Sequence, residues 1–235
     1  MSMISIEHLN KRFDTREVLK DLDLSLESGQ IVGLVGPNGS GKTTLLKILA
    51  GLTSDYSGNI RIDGKPLGLL TKEVVSYLPE KTYLSDWMRS IDAIDLFNDF
   101  YSDFDRIKAM EMLAQLRLDP KQRIKTMSKG MQEKLQLTLV MGRQAKVYLL
   151  DEPIGGVDPA TRSVILDAVL KQYSEDSLMV FATHLIADVE RIFDRVIFLG
   201  FGEIKLHDEV DAIREKYGKS VDEVFREVFS CLVSL

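Results

Sequence analysis

The stretch that decides the fold is Ile31-Val-Gly-Leu-Val-Gly36-Pro-Asn-Gly-Ser-Gly-Lys42-Thr43-Thr44. An apolar strand pattern, Ile31–Val35, leads into a glycine-rich turn, and a helical pattern follows over Lys42–Ala50. The turn has the spacing G-x-x-x-x-G-K-[ST], in which glycines let the backbone wrap closely around a phosphate so that its N–H groups can donate. The helix N-terminus adds partial positive charge at the same place. The sequence therefore predicts a site for a nucleoside triphosphate.

The predicted contacts of this site are the residues of the turn and the threonine after it. Lys42 is expected to reach the β- and γ-phosphates and the Thr43 hydroxyl to ligate Mg²⁺, so ATP and Mg²⁺ are the expected ligands. The alternative is a glycine-rich turn without a special role. The bare pattern arises by chance in roughly one chain in a hundred of this length, and its strand–turn–helix setting makes chance rarer. The full set of predicted contacts is Gly36, Pro37, Asn38, Gly39, Ser40, Gly41, Lys42, Thr43 and Thr44.

A second apolar strand pattern, Val147–Leu150, ends in two acids. Asp151 at the end of the strand is placed to hold Mg²⁺ through water, and Glu152 beside it could act as a general base on the attacking water. An apolar strand that ends in acids is common, so this pair carries weight only together with the glycine-rich turn.

The remaining pattern outlines an α/β core interrupted by a helical segment. Strands that alternate with helices predict a parallel sheet with helices on its faces. The stretch from about 90 to 143 is helical, with an apolar stripe expected in its core and aspartates expected on a solvated face. The predicted strands are Met3–Leu9, Leu22–Leu26, Asn59–Ile62, Leu178–Ala182 and Val196–Leu199; the predicted helices are Ala160–Tyr173, Leu185–Ile192, Asp208–Tyr217 and Val221–Phe229; the stripe is Ile91, Ile94 and Phe97; the aspartates are Asp92, Asp95, Asp99, Asp103 and Asp105.

Composition narrows the class of protein. The 235 residues are 45% hydrophobic with a formal charge of −6, enough for one domain with a sizeable core and no global field to attract nucleic acid. The single cysteine, Cys231, excludes an intramolecular disulfide and fits a reducing compartment. Met1–Asn10 lacks the apolar core of a signal peptide, and no stretch approaches roughly 18 uncharged apolar residues. A cytoplasmic protein without a membrane span is expected.

Six elements in a fixed order resemble the ABC transporter ATP-binding family over nearly the whole chain. Beyond the glycine-rich turn, or Walker A motif, they are Phe13 in Lys11-Arg12-Phe13, matching the aromatic residue that stacks on adenine; Tyr77-Leu78-Pro79-Glu80, matching the Q-loop; Met127-Ser128-Lys129-Gly130-Met131, matching the signature loop; Asp151-Glu152-Pro153 followed by Gly155-Gly156-Val157-Asp158, matching Walker B and the D-loop; and Thr183-His184, matching the switch histidine.

The resemblance implies a fold and its divisions. We expect a P-loop NTPase core of the ABC type, with a parallel sheet flanked by helices, an N-terminal antiparallel β subdomain and an inserted α-helical subdomain. The nucleotide-binding core with the β subdomain would take about 1–84 and 144–206. The helical subdomain with the signature loop would take about 85–143, and a short helical tail about 207–235.

The resemblance also implies a mechanism and partners. Two copies, identical or paralogous, would pack head to tail, so that Ser128 and Gly130 of one copy close over the Walker A turn of the other with a helix N-terminus. His184 would contact the γ-phosphate and orient Glu152, Lys42 would support catalysis, and Asp158 would lie along the interface. A separate transmembrane permease would place the protein at the inner face of the membrane, and nucleic acid is not expected as a partner.

Three positions depart from the family pattern. Glu80 replaces the usual glutamine; its carboxylate could still bind Mg²⁺, but its charge beside the γ-phosphate would be unfavourable once the metal leaves. Lys129 replaces a glycine and could either add charge near the facing triphosphate or point into solvent. Met131 replaces a glutamine. Because Ser128 and Gly130 are retained, hydrolysis is expected to survive, and the variant signature resembles exporter-type subunits.

Three further side chains lie outside these motifs. Trp87 lies where the family docks the permease, yet it could equally be a buried anchor. His8 and His207 are expected at the surface.

Two other functions compete with that of a transporter motor. A soluble ABC ATPase acting on ribosomes or nucleic acid usually carries tandem units or long insertions, which this acidic chain lacks. A non-hydrolytic module that uses ATP only to dimerise is disfavoured by the intact Lys42, Asp151, Glu152 and His184.

Overall fold

A computed structural model describes residues 2–233. The strands are β1 Ser2–Phe13, β2 Arg16–Glu27, β3 Gln30–Val35, β4 Ser57–Ile62, β5 Lys65–Pro66, β6 Val75–Leu78, β7 Val147–Asp151, β8 Leu178–Thr183, β9 Arg195–Gly200 and β10 Glu203–Glu209. The helices are α1 Lys42–Leu49, α2 Leu69–Val74, α3 Ser90–Phe100, α4 Arg106–Gln115, α5 Lys129–Met141, α6 Pro159–Gln172, α7 Ile186–Val189, α8 Val210–Tyr217 and α9 Val221–Val233, with 3₁₀ turns at Ile124–Thr126 and Glu190–Ile192.

The strands form two sheets. The first is antiparallel with the order β2-β1-β4-β5, and the second has the order β10-β9-β3-β8-β7-β6. In the second sheet β9, β3, β8, β7 and β6 pair in parallel, while β10 pairs antiparallel with β9. Parallel strands need crossover connections, and the helices between them supply these. The mixed α/β fold with an antiparallel sheet and a helix-flanked, mostly parallel sheet is thus confirmed.

Both faces of the parallel strands are buried, which explains their continuous apolar sequence. Along β7, Val147 and Leu149 face the cluster that also holds α1 and the antiparallel sheet. Tyr148 and Leu150 face the opposite cluster, which includes the helices between α3 and α6. Each strand thereby has its carboxyl end fixed between two packed layers.

The helical segment α3–α5 is fastened to the sheet by a buried arginine. Arg143, 3% exposed, donates to the backbone oxygens of Val75 at 2.7 Å and Glu73 at 2.6 Å. It also donates to both carboxylate oxygens of Asp103 at 3.0 Å, and its guanidinium lies 4.1 Å from the Tyr101 ring centre. The C-terminal end of α5 is therefore tied to edge strand β6.

This arrangement corrects the expectation that the aspartates share one solvated helix face. The first helix of the segment ends at Phe100, so Asp103 and Asp105 lie beyond it. Asp103 is the partner of buried Arg143, and Asp105 caps α4 by accepting from the N–H of Lys108 at 2.9 Å. The apolar stripe does belong to the core: Ile94 is buried and Phe97 packs between aromatic neighbours.

Other sequence-based expectations differ from the structure near the chain's end and before the helical segment. The predicted helix over Asp208–Tyr217 begins only at Val210, because Glu203–Glu209 forms β10. Helix α2 and strand β6 were not predicted. His8 is exposed as expected, but His207 is half-buried, its Nε2 is enclosed without a hydrogen-bond partner, and burial lowers its pKa.

No helix within residues 2–233 is both long and apolar enough to span a membrane.

Candidate nucleotide-binding site

The glycine-rich turn joins β3 to α1 in a conformation that larger residues could not adopt. Gly41, directly before the helix, has φ of +111°, which L side chains rarely tolerate. At Gly36 a Cβ would stand 2.2 Å from the Leu199 backbone oxygen. The glycines therefore keep the turn close to β9 and leave its inner side open.

Two polar groups inside this turn are enclosed. The Lys42 ammonium is 6% exposed and donates to the backbone oxygens of Gly36 at 2.7 Å and Pro37 at 3.3 Å. Burial lowers the pKa of Lys42, and the charges of Glu152, Asp151 and Glu80 oppose that shift. The Ser40 hydroxyl oxygen is buried without a hydrogen-bond partner. An unpartnered buried hydroxyl in a glycine cradle fits a ligand rich in acceptor oxygens.

The first residue pair across the site joins the helix start to the end of β7. The Thr43 hydroxyl donates to Asp151 Oδ1 at 3.1 Å, and the Tyr77 hydroxyl lies 3.5 Å from Asp151 Oδ2. Asp151 is only 1% exposed, and this burial raises the pKa of its carboxyl despite the Thr43 contact. Burial also raises the pKa of Tyr77, which keeps its hydroxyl protonated as a donor.

Glu152 follows in a strained backbone conformation. Its φ of +50° is in the left-handed region, and its N–H donates to the Ala182 backbone oxygen at 2.9 Å. Such a conformation costs on the order of 1–3 kcal/mol in a non-glycine residue and concentrates at functional sites. It turns the Glu152 side chain away from Asp151 and toward the end of β8.

The last residue of β8 and the residue that follows it hold the Glu152 carboxylate. The Thr183 hydroxyl donates to Oε2 at 3.0 Å, and His184 Nδ1 lies 2.9 Å from Oε1. Because an ionised carboxylate only accepts hydrogen bonds, Nδ1 carries the hydrogen in this contact and leaves Nε2 for another partner. The Glu152 side chain is 13% exposed and that of His184 49% exposed, so the pair reaches from the interior to the rim.

The glycine-rich turn, Thr43, Glu152 and His184 line a cavity of about 590 Å³. Phe13 lies at its wall with half of its surface exposed, and the Lys11 ammonium is 4.5 Å from its ring centre. Glu80 is also exposed on the cavity wall. The lining residues are Phe13, Arg16, Val18, Asn38, Gly39, Ser40, Gly41, Lys42, Thr43, Thr44, Glu80, Glu152 and His184.

The predicted signature and D-loop residues lie at a different cavity, of about 320 Å³. Ser128 is exposed and caps α5 by accepting from the Met131 N–H at 3.3 Å. Asp158 is exposed and caps α6, accepting from the Thr161 hydroxyl at 2.6 Å and from its N–H at 3.1 Å. Bonding from the Thr161 hydroxyl lowers the pKa of Asp158. Ser128, Gly130 and Asp158 line this second cavity and do not line the first.

The lysine that departs from the signature pattern points into solvent. Its side chain is 79% exposed, and Lys129 Nζ lies 3.7 Å from Glu133 Oε1 one helical turn later. Glu133 itself packs against the D-loop, since a Cβ at Gly156 would stand 2.0 Å from its Oε1. Burial raises the pKa of the Glu133 carboxyl.

A parallel-stranded core with a glycine cradle, an enclosed lysine and paired acids defines a P-loop nucleotide-binding protein. The ABC transporter family model matches residues 19–155, and the chain belongs to that family as an ATP-binding ATPase.

Two curated bacterial relatives are similar over most of this chain. ABC transporter ATP-binding protein YtrB of Bacillus subtilis is 30% identical over 92% of this chain and 75% of its own length. Aliphatic sulfonates import ATP-binding protein SsuB 1 of Xanthomonas axonopodis pv. citri is 35% identical over 85% of this chain and 81% of its own length.

Two solved structures share the fold. The structure of an ATP binding subunit of an ABC transporter superposes with a TM-score of 0.86 at 26% identity, covering 97% of this chain and all of that chain. The dimeric, post-hydrolysis structure of the ATP-binding cassette MJ0796 bound to ADP and Pi has a TM-score of 0.78 at 21% identity, covering 88% of this chain and 98% of that chain.

Three residues of the site were not assigned a role by the sequence analysis. The Thr183 hydroxyl and the Tyr77 hydroxyl each support an acid, and both were quoted only as parts of longer motifs. Arg16 lines the main cavity, yet a lone arginine after a turn gives no signal in the sequence.

Proposed function

We propose that this chain is the ATP-hydrolysing motor of a membrane transporter, acting on a separate permease. The observation that carries the proposal is the contact of Glu152 with Thr183 and His184, on the wall of the same cavity as the enclosed Lys42. A site that only bound nucleotide would not need a carboxylate held on both of its oxygens.

In hydrolysis, Glu152 accepts a proton from the water whose oxygen attacks the γ-phosphorus, while the bond from that phosphorus to the β–γ bridging oxygen breaks. Thr183 and His184 fix the carboxylate, and His184 Nε2 is left for the γ-phosphate. Lys42 offsets the negative charge that moves onto the phosphates.

The site has a composition that suits Mg²⁺. Within residues 2–233, no three His, Cys, Asp or Glu side chains are grouped to hold a metal ion on their own. Mg²⁺ usually takes one or two protein ligands together with waters and phosphate oxygens. Thr43 and Asp151 would hold the ion, with Glu80 on the same cavity wall. When bound, Mg²⁺ would neutralise phosphate charge.

Phe13 is proposed to stack on adenine. Half of its surface is open to the cavity although the ring is large and apolar. Stacking of a base on an aromatic ring contributes about 1–3 kcal/mol.

We propose that two copies complete each other's sites. The main cavity contains the Walker A turn and Glu152 but not Ser128 or Gly130; at the start of α5, Ser128 is exposed and Gly130 is half-buried. A helix N-terminus with a serine cap is a favourable partner for phosphate. The dimeric MJ0796 cassette has the same fold, which agrees with a head-to-tail pair whose second member is a copy or a paralogue.

The permease is proposed to dock beside the helical segment. Trp87 is 69% exposed, which excludes the buried-anchor interpretation. Nearby in sequence, Tyr83, Leu96 and Phe100 line an apolar groove of about 630 Å³ between α3 and the sheet. Exposed aromatic and aliphatic side chains of this kind are typical of interface centres. This docking would bring the protein to the inner face of a membrane.

We propose no direction of transport. The variant signature loop predicts export, but a relative with 35% identity carries a name for sulfonate import. The alternative of a soluble ATPase acting on ribosomes or nucleic acid is not favoured, since the named relatives are transporter subunits.

The test is Mg²⁺-dependent phosphate release by purified Glu152→Gln protein beside the parent. Glutamine retains the size of the side chain but cannot accept the proton, so turnover should fall by about 10²–10⁴ while ATP affinity is retained. Size-exclusion chromatography with ATP should show a dimer. A variant that hydrolyses ATP at the parent rate would remove Glu152 from the catalytic role.

A further inference from the structure

The β1–β2 hairpin brings two cations to the Phe13 end of the cavity, and they differ in their surroundings. Lys11 is 2% exposed and is committed within the chain: its ammonium lies 3.0 Å from Asp55 Oδ2 and against the Phe13 ring. Arg16 is exposed, and within residues 2–233 it has neither a carboxylate partner nor a hydrogen bond from its guanidinium. Its charge is therefore available to a ligand.

The position of Arg16 directs this charge over the nucleotide site. It is the cross-strand partner of Phe13, and opposite residues in an antiparallel pair project to the same side. Its Nη2 lies 3.7 Å from where a Cβ of Gly39 would stand, so the guanidinium reaches the Walker A turn. Arg16 lines both the main cavity and an adjacent one of about 250 Å³ behind the turn.

The charges around the cavity make a second cation useful. Glu80, Asp151 and Glu152 place three carboxylates near the enclosed ammonium of Lys42. A triphosphate adds several negative charges to this group. An arginine fork binds phosphate oxygens through paired donors and keeps its charge at any physiological pH.

We propose that Arg16 is a further binding residue for ATP, contacting a phosphate that ATP and ADP share. This inference rests on the proposed nucleotide site. The γ-phosphate lies at the Glu152–His184 side, whereas Phe13, the strand partner of Arg16, marks the adenine side. Arg16 therefore strengthens binding of both nucleotides and does not distinguish them.

The experiment measures the Kd of ATP and of ADP by calorimetry for the parent, Arg16→Ala, Arg16→Glu and the control Arg12→Ala. Arg12 is exposed on the same hairpin and lines neither cavity. Arg12→Ala therefore removes the same charge without removing a contact to the nucleotide. We expect Arg16→Ala to weaken both nucleotides about tenfold, as for a partly screened charged hydrogen bond. Arg16→Glu should be weaker still, and Arg12→Ala should match the parent.

Two checks separate a binding role from a structural one. The ligand-free variants should melt at the parent temperature, because the exposed guanidinium of Arg16 makes no ion pair or hydrogen bond in the part of the chain that the structure describes. The loss caused by Arg16→Ala should shrink at high ionic strength, where the charge is screened in the parent as well.

Equal Kd values for the parent and Arg16→Ala would overturn the inference, as would an equal loss in Arg12→Ala. A loss for ATP without a loss for ADP would overturn the assignment to a shared phosphate. If the parent itself failed to bind ATP, the proposed function would fall, which is a different result from either.

Discussion

Two regions of the molecule are built in opposite ways. One is the sheet edge, meaning the carboxyl ends of β3, β7 and β8 beside the nucleotide cavity, and the other is the helical segment that carries the signature loop. At the sheet edge the functional groups bond to one another: Thr43 to Asp151, and Thr183 and His184 to Glu152. On the helical segment, the Ser128 hydroxyl accepts from the N–H of Met131 in its own first helical turn, and Trp87 is exposed.

This contrast shows which part of the machinery is complete in one chain. The groups proposed to act on water and metal are held in place within one chain, because their mutual bonds satisfy buried polar atoms. The exposed groups of the helical segment have unused binding capacity, which suits contacts supplied by other subunits. The proposed catalytic groups and the proposed partner contacts are thus located in separate parts of the fold.

The largest predicted effect is the recovery of activity when two inactive variants are mixed, one altered in the Walker A turn and the other in the signature loop. Lys42→Ala removes the cation of the Walker A turn, and Ser128→Arg blocks the start of α5. Each variant alone should lose at least about 10³-fold in phosphate release, by analogy with removal of a group that stabilises transition-state charge. Mixed in equal amounts, they should recover about a quarter of the parent rate, since half of the dimers are mixed and each has one intact site.

The control for this mixture is Lys42→Ala combined with Lys42→Ala/Ser128→Arg, which leaves no intact site and should stay inactive. If the first mixture also stays inactive although both variants fold, each chain would act alone and the two-copy site would be wrong.

A second prediction concerns the other exposed feature of the helical segment. Trp87→Ala should leave phosphate release by the purified protein unchanged, because Trp87 lies outside the cavity. The permease contact is measured by a pull-down of tagged Glu152→Gln protein with ATP from detergent-solubilised cells. Adding Trp87→Ala to this protein should reduce the amount of captured polytopic membrane protein roughly tenfold or more, as for a tryptophan at an interface centre. Tyr217→Ala, an exposed aromatic on α8, is the matched control. Equal capture by Trp87→Ala and Tyr217→Ala would place the permease contact elsewhere.

The smallest predicted effect is a gain in thermal stability on replacing Asp151, at the carboxyl end of β7. Burial raises the pKa of Asp151, so the folded protein binds this proton more tightly than the unfolded chain does. The ionised carboxyl therefore destabilises the fold at neutral pH; this penalty shrinks as the pH falls through the raised pKa of the folded state and is gone below the ordinary pKa of aspartate. Asp151→Asn should raise the melting temperature of the nucleotide-free protein by about 2–4 °C at pH 7, which corresponds to about 1 kcal/mol.

Scanning calorimetry from pH 7 to pH 4 checks the sign, because the difference between variant and parent should narrow in acid. A parent more stable than Asp151→Asn at pH 7 would show that the Thr43 bond outweighs burial.

Much of the sheet edge could be predicted because its signals are local. The glycine-rich turn, the apolar strand ahead of it and the paired acids after β7 are each contiguous in sequence. The strained backbone of Glu152 and its bond to Thr183 could not be predicted, since they depend on how β7 and β8 lie side by side.

The sequence-based predictions were wrong where contacts between residues far apart in sequence decide the structure. Glu203–Glu209 is rich in charge and reads weakly as a strand, but its hairpin with β9 supplies the ladder of hydrogen bonds. The placement of Asp103 depends on Arg143, forty residues later. The roles of Ser128, Gly130 and Asp158 stay predictions, because they require a second copy.

The bonds of Arg143 to β6 have a mechanical consequence. Helix α5 has 13 residues and is therefore about 20 Å long. Arg143 fastens its C-terminal end, while Ser128 lies at the opposite end. If the helix tilts by about 10° around the fastened end, Ser128 moves by roughly 3 Å, about the length of one hydrogen bond. The helix would then act as a lever whose pivot lies at the sheet, so that a small rotation caused by the proposed permease would make or break the proposed phosphate contact of Ser128.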